Sequence, residues 1–329
     1  MTNESKILAP LVPGEFWPAA DRPTIYFIGV TTHQSTIMQM FPAWAEYLGI
    51  GDATVRGMNF PPNDRPEHYR RAVEFIRDDP LAQGALVTTH KLNVLRASRD
   101  LFDELDEFAT LMHEVSSIAK RDGKLLGHAK DAITSGLSLN SIIGNGYWTN
   151  SRADLMVCGA GGASVALTWF VGQRSHGRNR PGRVVITDCD AMKLAELRSV
   201  HERANLDAPF EYHCVASTTD SDRLLESLST GSLVVNATGL GKDAPGSPLS
   251  ADAKWPDEAI AWDFNYRGDL VFLQQAELQA AQRHIRIVDG WEYFIHGWSR
   301  VIDEVFNLRL KWTEQLIRDL SALANRCRA

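Results

Sequence analysis

A glycine turn set between a strand and a helix constrains this chain more than any other feature. The turn is Gly159-Ala160-Gly161-Gly162-Ala163-Ser164, preceded by the apolar run Asp154 to Cys158 and followed by the helical stretch Val165 to Val171. A buried strand that passes through glycines straight into a helix opens a parallel βαβ unit. Gly159 permits the tight turn, Gly161 lets the backbone approach a pyrophosphate, and small Ser164 allows the helix to pack closely on the strand. The free N–H groups and positive dipole end of that helix would receive phosphates. Gly159 through Ser164, with Ala160, Gly162 and Ala163 between them, is therefore the candidate dinucleotide loop.

The next strand, Arg183 to Asp188, ends in a carboxylate 188 − 159 = 29 residues after the first glycine, where about 20 is usual. The excess is a polar, cationic loop, Gly172 to Gly182, which reads either as a solvated insertion or as a phosphate site. Asp188 would accept hydrogen bonds from the adenosine ribose hydroxyls and repel a 2′-phosphate, with Asp190 a second candidate. NAD is favoured over NADP on that ground. The alternative makes Asp188 a turn residue or helix cap before Ala191, and Arg198 or the loop arginines would readmit NADP if they folded back.

Strand and helix alternate elsewhere too. Thr24 to Val30 is a β-branched and aromatic run, and Ile37, Met40, Phe41, Trp44 and Leu48 recur at helical spacing up to Gly49. Arg65 to Asp78 predicts a second helix, Gly84 to Thr88 a strand, and the residues after Lys91 a third helix. Further strands are predicted at 211–215, 232–236 and 259–264, and helix at 191–204. The last segment, Trp291 to Arg326, has a helical pattern with Val301, Val305, Leu308 and Leu316 as core candidates. Residues 1–22 are Pro-rich and read as an unpatterned arm.

This alternation predicts an α/β chain, and 329 residues at about 150 per domain predict two domains. A formal charge of −7 argues against a nucleic-acid or anionic-membrane surface and for a small-molecule enzyme. Cys158, Cys189, Cys214 and Cys327 form no CxxC pair, so reduced thiols in a cytoplasm are expected. Met1 to Glu15 has no signal-peptide core, and no run of 18 apolar residues predicts a membrane helix. His33, His90, His128 and His296 lack compact ligand spacing, so no metal is expected.

Thr88-Thr89-His90-Lys91 lies where a strand gives way to a helix, and Asp131 follows Gly127-His128-Ala129-Lys130. Taken with these, the ordered motifs resemble the shikimate and quinate dehydrogenase family. They are Ile28-Gly29 with Thr31 to Thr36, the Lys91 motif, Asp131, Gly159 to Ser164, Asn236-Ala-Thr-Gly-Leu-Gly241, Asp263-Phe-Asn-Tyr266 and Asp289-Gly290-Trp291. The resemblance covers roughly residues 24 to 310.

It implies a discontinuous substrate domain, residues 1–136 plus 289–329, and a Rossmann doubly wound parallel-sheet domain, residues 137–288, with a cleft between them. It also implies reversible hydride transfer between NAD(P) and a secondary alcohol of a hydroxy acid, with Lys91 the acid–base group and Asp131 its partner. Asn236, Ala237, Thr238 and Gly239 would line the nicotinamide side, Tyr266 would reach the substrate, and a homodimer is expected.

The substrate-reading positions depart from the family pattern. Its hydroxyl pair followed by proline is met only by Ser35-Thr36-Ile37, a threonine aligns with Val87, an Asn-Thr pair with Ser116-Ser117, and the final-helix glutamine with Gly297 beside His296. Ser35, Thr36, Ser116, Tyr266, Arg267 and His296 are the candidate substrate contacts. Arg267 would pair with a substrate carboxylate or form a salt bridge to Asp269 or Asp263. These changes predict that shikimate itself is poorly used and that a related anionic acid, bulkier or more apolar given Trp291, Tyr293, Phe294 and Trp298, is preferred. The same aromatics also read as core packing of the closing helix. Two rival readings are a non-catalytic NAD-binding sensor and a dehydrogenase of a non-shikimate hydroxy acid.

Overall fold

The computed structural model describes residues 8–328. The first seven residues, on which part of the signal-peptide reading rests, lie outside them. The chain divides into two compact units: residues 1–130 with 297–329, and residues 131–296.

In the first unit the strands are β1 Thr24–Gly29, β2 Thr54–Asn59, β3 Ala82–Val87, β4 Glu104–Leu105, β5 Ser117–Arg121 and β6 Lys124–His128. They form one sheet in the order β2-β1-β3-β5-β6-β4. The first three strands are parallel, and β5 and β6 form an antiparallel hairpin on β3. The helices are α1 Ile37–Leu48, α2 Pro66–Asp78, α3 Lys91–Ser98 and α4 Glu107–Met112. Gly49 closes α1 at φ 69°. The core between sheet and helices includes Tyr26, Ile28, Met58, Tyr69, Val73, Ile76, Val87 and Val94. Each such side chain contributes about 1.5–3 kcal/mol by leaving water.

The Pro-rich segment is more than an arm. Leu11 N donates to Gly57 O and Asn59 N to Leu11 O, so it is stitched onto β2. Trp17 is buried edge-on against Phe60 and Phe75, with the Arg71 guanidinium over its ring.

The second unit is a six-stranded parallel sheet with β7 Leu155–Cys158, β8 Val184–Asp188, β9 Phe210–Cys214, β10 Leu233–Asn236, β11 Ile260–Asp263 and β12 Arg286–Val288. Its order is β12-β11-β10-β7-β8-β9, the doubly wound order of a dinucleotide fold. The helices are α5 Asp131–Ile143, α6 Tyr147–Ser151, α7 Gly162–Val171, α8 Ala191–Arg203, α9 Thr218–Glu226 and α10 Val271–Arg283. The α/β expectation with a Rossmann sheet is borne out.

Two helices close the chain, α11 Trp291–Phe306 and α12 Glu314–Asn325. The single helical stretch expected over 291–326 is broken where Asn307 and Arg309 take positive φ. Val301 and Val305 are core residues, whereas Leu308 and Leu316 are half-buried, and Leu320 and Ala324 fill the core of α12 instead.

Candidate functional site

Parallel strands send their following loops to one sheet edge, and this rule assembles the candidate residues in each unit. In the first unit Ile28 of β1 is level with Val87 of β3. The segments Thr31 to Thr36 and Thr88 to Lys91 therefore leave the same edge. Antiparallel β5 enters from that edge, with Val87 N donating to Ser116 O. Ser35 and Ser116 are buried there, Thr36 is half-buried, and His33 is exposed.

His90, 1% exposed, fixes the start of α3. Its Nε2 lies 3.1 Å from Phe60 O and its Nδ1 3.0 Å from the Tyr69 hydroxyl. A carbonyl only accepts, so Nε2 carries the proton and Tyr69 donates to Nδ1. His90 sits just before Lys91, the half-buried first residue of α3.

The Ser116 hydroxyl accepts from Lys130 N at 2.7 Å, so it positions the peptide that leads into Asp131. Lys130 Nζ lies 2.7 Å from Glu304 Oε2, while Glu304 Oε1 receives Arg121 at 2.9 Å and lies 3.5 Å from His128 Nε2. Burial pushes the Glu304 carboxyl up, but the Lys130 hydrogen bond and the surrounding cations outweigh it and hold the group below the usual carboxylate value. Burial holds the His128 imidazole below its ordinary value.

In the second unit the glycine turn follows β7 at the carboxyl edge. Gly159 has φ +102°, and a Cβ there would lie 2.9 Å from Ala237 O. A Cβ on Gly161, by contrast, would meet nothing within 4 Å. Open space in front of the N-terminal amides of α7 fits a dinucleotide pyrophosphate.

Asp188, at the end of β8, accepts from Ala160 N at 2.7 Å and from Asp190 N at 2.9 Å. It thus ties the glycine turn to the next strand, and a half-buried carboxylate there can also accept from a ribose. Asp190 caps α8 through Met192 N.

The cationic loop 172–182 stands at the opposite, amino edge of the sheet. Arg174 donates to Asn205 O and Oδ1, and Arg180 pairs with Asp207 at 2.7 Å, both partners lying just ahead of β9. Arg198 pairs with Glu202 and lies over the Tyr212 ring. The loop is accordingly an insertion clamped to its own sheet, away from the glycine turn.

After β10, Asn236 is fully buried. Its amide donates to Asp263 Oδ2 at 2.9 Å, and its oxygen accepts from Thr238 N and Oγ1. Burial raises Asp263 to about 6. The Asn236 side chain thus shapes the loop, while Ala237, Thr238 and Gly239 are its accessible residues. Gly290 lies under β11's continuation, where a Cβ would come within 2.1 Å of Phe264 O.

Tyr266 packs against Trp291 and Phe294, and Arg267 is half-buried beside it. Trp291, Phe294 and Trp298 are buried, as core packing of α11 expects, and so is His296.

Asp131 opens α5 and is 6% exposed. Its Oδ2 accepts from the Tyr293 hydroxyl at 2.9 Å, and the Tyr293 ring stacks on Phe264 at 4.5 Å and 12°. Sequence reasoning named Tyr293 only as one of several aromatics. Nothing local marks it, because 162 residues separate it from Asp131. Among the described residues no group of three or more His, Cys, Asp or Glu could hold a metal ion, and no helix is long and apolar enough to cross a membrane.

No protein-family model matches the chain. Curated relatives are shikimate dehydrogenases named with NADP(+). The one from Streptococcus thermophilus is 28% identical over 50% of this chain and 53% of its own length. The one from Lactococcus lactis subsp. cremoris is 30% identical over 55% and 60%. The chain thus spans between half and three fifths of the length of these relatives.

Solved structures share the fold nearly end to end. A shikimate dehydrogenase in complex with NADP+ has TM-score 0.68 at 18% identity, covering 94% of this chain and 96% of that one. The quinate dehydrogenase of Corynebacterium glutamicum in complex with NAD has TM-score 0.66 at 19% identity over 93% and 99%. The 5-ketofructose reductase of a Gluconobacter strain has TM-score 0.62 at 18% identity over 93% and 98%. The resemblance read from the ordered motifs is borne out by the curated relatives, and the solved structures share the fold.

Proposed function

We propose that this chain is an NAD(P)-dependent oxidoreductase of the shikimate dehydrogenase kind, interconverting a secondary alcohol of a cyclic hydroxy acid and its ketone. The observation that carries the reading is the glycine turn at the carboxyl edge of a doubly wound sheet, with open space before α7 at Gly161. Gly159 to Ser164 would hold the pyrophosphate, and Ala237 to Gly239 the nicotinamide side. A bound nicotinamide supplies the hydride acceptor or donor.

Lys91 would take the alcohol proton during oxidation and return it during reduction, its cationic form steadying a developing alkoxide. Asp131 would orient the hydroxyl and balance the lysine charge. Arg267 is proposed to meet the substrate carboxylate, with Ser35, Thr36, Tyr266 and His296 as further contacts.

NAD is proposed over NADP, although the curated relatives carry NADP(+) in their names. Asp188 and Asp190 place two carboxylates after β8, Arg198 is engaged by Glu202 and Tyr212, and the loop arginines stand at the far edge. A 2′-phosphate would meet like charge there. The substrate is proposed to be a shikimate or quinate relative with fewer polar partners. A Cβ at Gly297, where the family resemblance expects glutamine, would meet nothing within 4 Å. A homodimer in a reducing cytoplasm is part of the same proposal.

The test is steady-state formation of NADH and NADPH from a panel of cyclic hydroxy acids. Lys91→Ala should lower turnover by about 10²–10⁴-fold while NAD binding stays within a factor of about two. No turnover with any acid of the panel, or full turnover in the variant, would sink the reading.

A further inference from the structure

We infer that Tyr293 is the positioning residue for Asp131, a phenol that fixes the direction of the carboxylate. The inference rests on the proposed acid–base role of Asp131. Its geometric basis is a relay of fixed contacts. Phe264 N donates to Asn236 O at 3.0 Å, anchoring the residue after β11 to the end of β10. The Tyr293 ring stacks on Phe264, and Trp262 stands edge-on to it at 6.5 Å. With the ring held by the sheet, the hydroxyl has one direction left, and it donates to Asp131 Oδ2 at 2.9 Å.

A phenol is suited to this work. Its O–H donates a hydrogen bond that strengthens when the carboxylate is charged, and it brings no charge that would compete with a lysine. Asp131 stands in the first turn of α5, at the positive end of the helix. The remainder of α5 carries no other titratable side chain, and neither does α7, packed against it. Lys130 precedes Asp131 and pairs with Glu304, which also meets Arg121 and His128, and Glu292 and His296 are the titratable neighbours of Tyr293 on α11. The Tyr293 hydroxyl donates to this carboxylate at 2.9 Å.

The discriminating variant is Tyr293→Phe, which keeps the stacked ring and removes only the hydroxyl. Two readouts are taken on the full chain. The first follows the Asp131 carboxyl by carbon-13 aspartate labelling, its signal assigned by its loss in Asp131→Asn. Loss of the phenol hydrogen bond should move this titration midpoint in Tyr293→Phe. The second is the pH–rate profile: kcat should fall about 10–100-fold, the acidic limb should move with the carboxyl, and KM for the dinucleotide should stay unchanged.

An unmoved Asp131 midpoint in Tyr293→Phe would overturn the inference. So would a kcat loss confined to Tyr293→Leu, which removes ring and hydroxyl together, because packing alone would then explain the residue. If the wild-type chain turns over no hydroxy acid, the proposed function fails by itself, and the carboxyl titration still decides the role of Tyr293.

Discussion

The glycine turn after β7 and the acid that opens α5 are built in opposite ways. Around the turn, each partner lies in a motif that follows the next strand: Ala160 is held by Asp188, Gly159 approaches Ala237, and Asn236 bonds Asp263. Around Asp131 the partner comes from the closing helix, and its position depends on a ring stacked on Phe264. The first arrangement follows from strand register, which delivers the Asp188, Asn236 and Asp263 side chains to the turn from neighbouring strands, and its purely backbone constraint is the glycine. The second is a property of side chains, and single substitutions retune it.

The sharpest way to break the first arrangement is Gly159→Ala. A φ of +102° strains any residue with a Cβ, and here the added atom meets the Ala237 carbonyl, which is backbone and cannot swing aside. The strain alone costs about 1–3 kcal/mol, and relieving it must move the turn away from the Asn236 loop. The unfolding midpoint should drop by about 5–10 °C, and calorimetry should detect no dinucleotide binding. Binding kept at wild-type strength would show that the turn is not the phosphate loop.

This contrast explains what sequence could and could not convey. Strand, glycine and helix follow each other within a few residues, so the Rossmann half is legible from periodicity and turn chemistry. The first unit was less so: β2, the β5–β6 hairpin and the anchoring of Leu11 and Trp17 carry weak patterns, because short strands such as Thr54–Asn59 hold Arg56 and Gly57 among their apolar residues. Lys91 and Asp131 were singled out as candidates through their motifs, whereas Tyr293 and Glu304 were not connected to them. A helix face gives no sign of which distant polar group it will meet.

Glu304→Gln tests the distant arrangement at its second point, the peptide before Asp131. The change leaves Arg121 and Lys130 without their counter-charge. With the carboxylate 18% exposed, water screens part of the loss, and about 1–2 kcal/mol of stability should disappear at pH 7. The folded-state pKa of Glu304 is depressed below its ordinary 4.5, so its contribution is present above that value and fades as pH falls through the depressed one. Denaturant unfolding should accordingly separate variant and wild type at pH 7 and bring them together in acid. A gap of constant size across that range would mean that packing, not charge, makes Glu304 useful.

The smallest effect is expected from Arg180→Ala, and that smallness is informative. Loop 172–182 is the most cationic segment near the glycine turn in sequence, yet Arg174 and Arg180 are spent on Asn205 and Asp207 at the amino edge. Dinucleotide phosphates would be received at the carboxyl edge, with the sheet between. Because Asp207 is well exposed, salt and water already screen its pair, and the unfolding temperature should move by less than about 2 °C. The NAD dissociation constant should stay within about twofold at both low and high salt, since the Debye length at physiological ionic strength, about 8 Å, is short beside the thickness of a sheet with its helices. A tenfold weakening confined to low salt would place the loop's field on the cofactor, and the contrast between the two edges would then have to be redrawn.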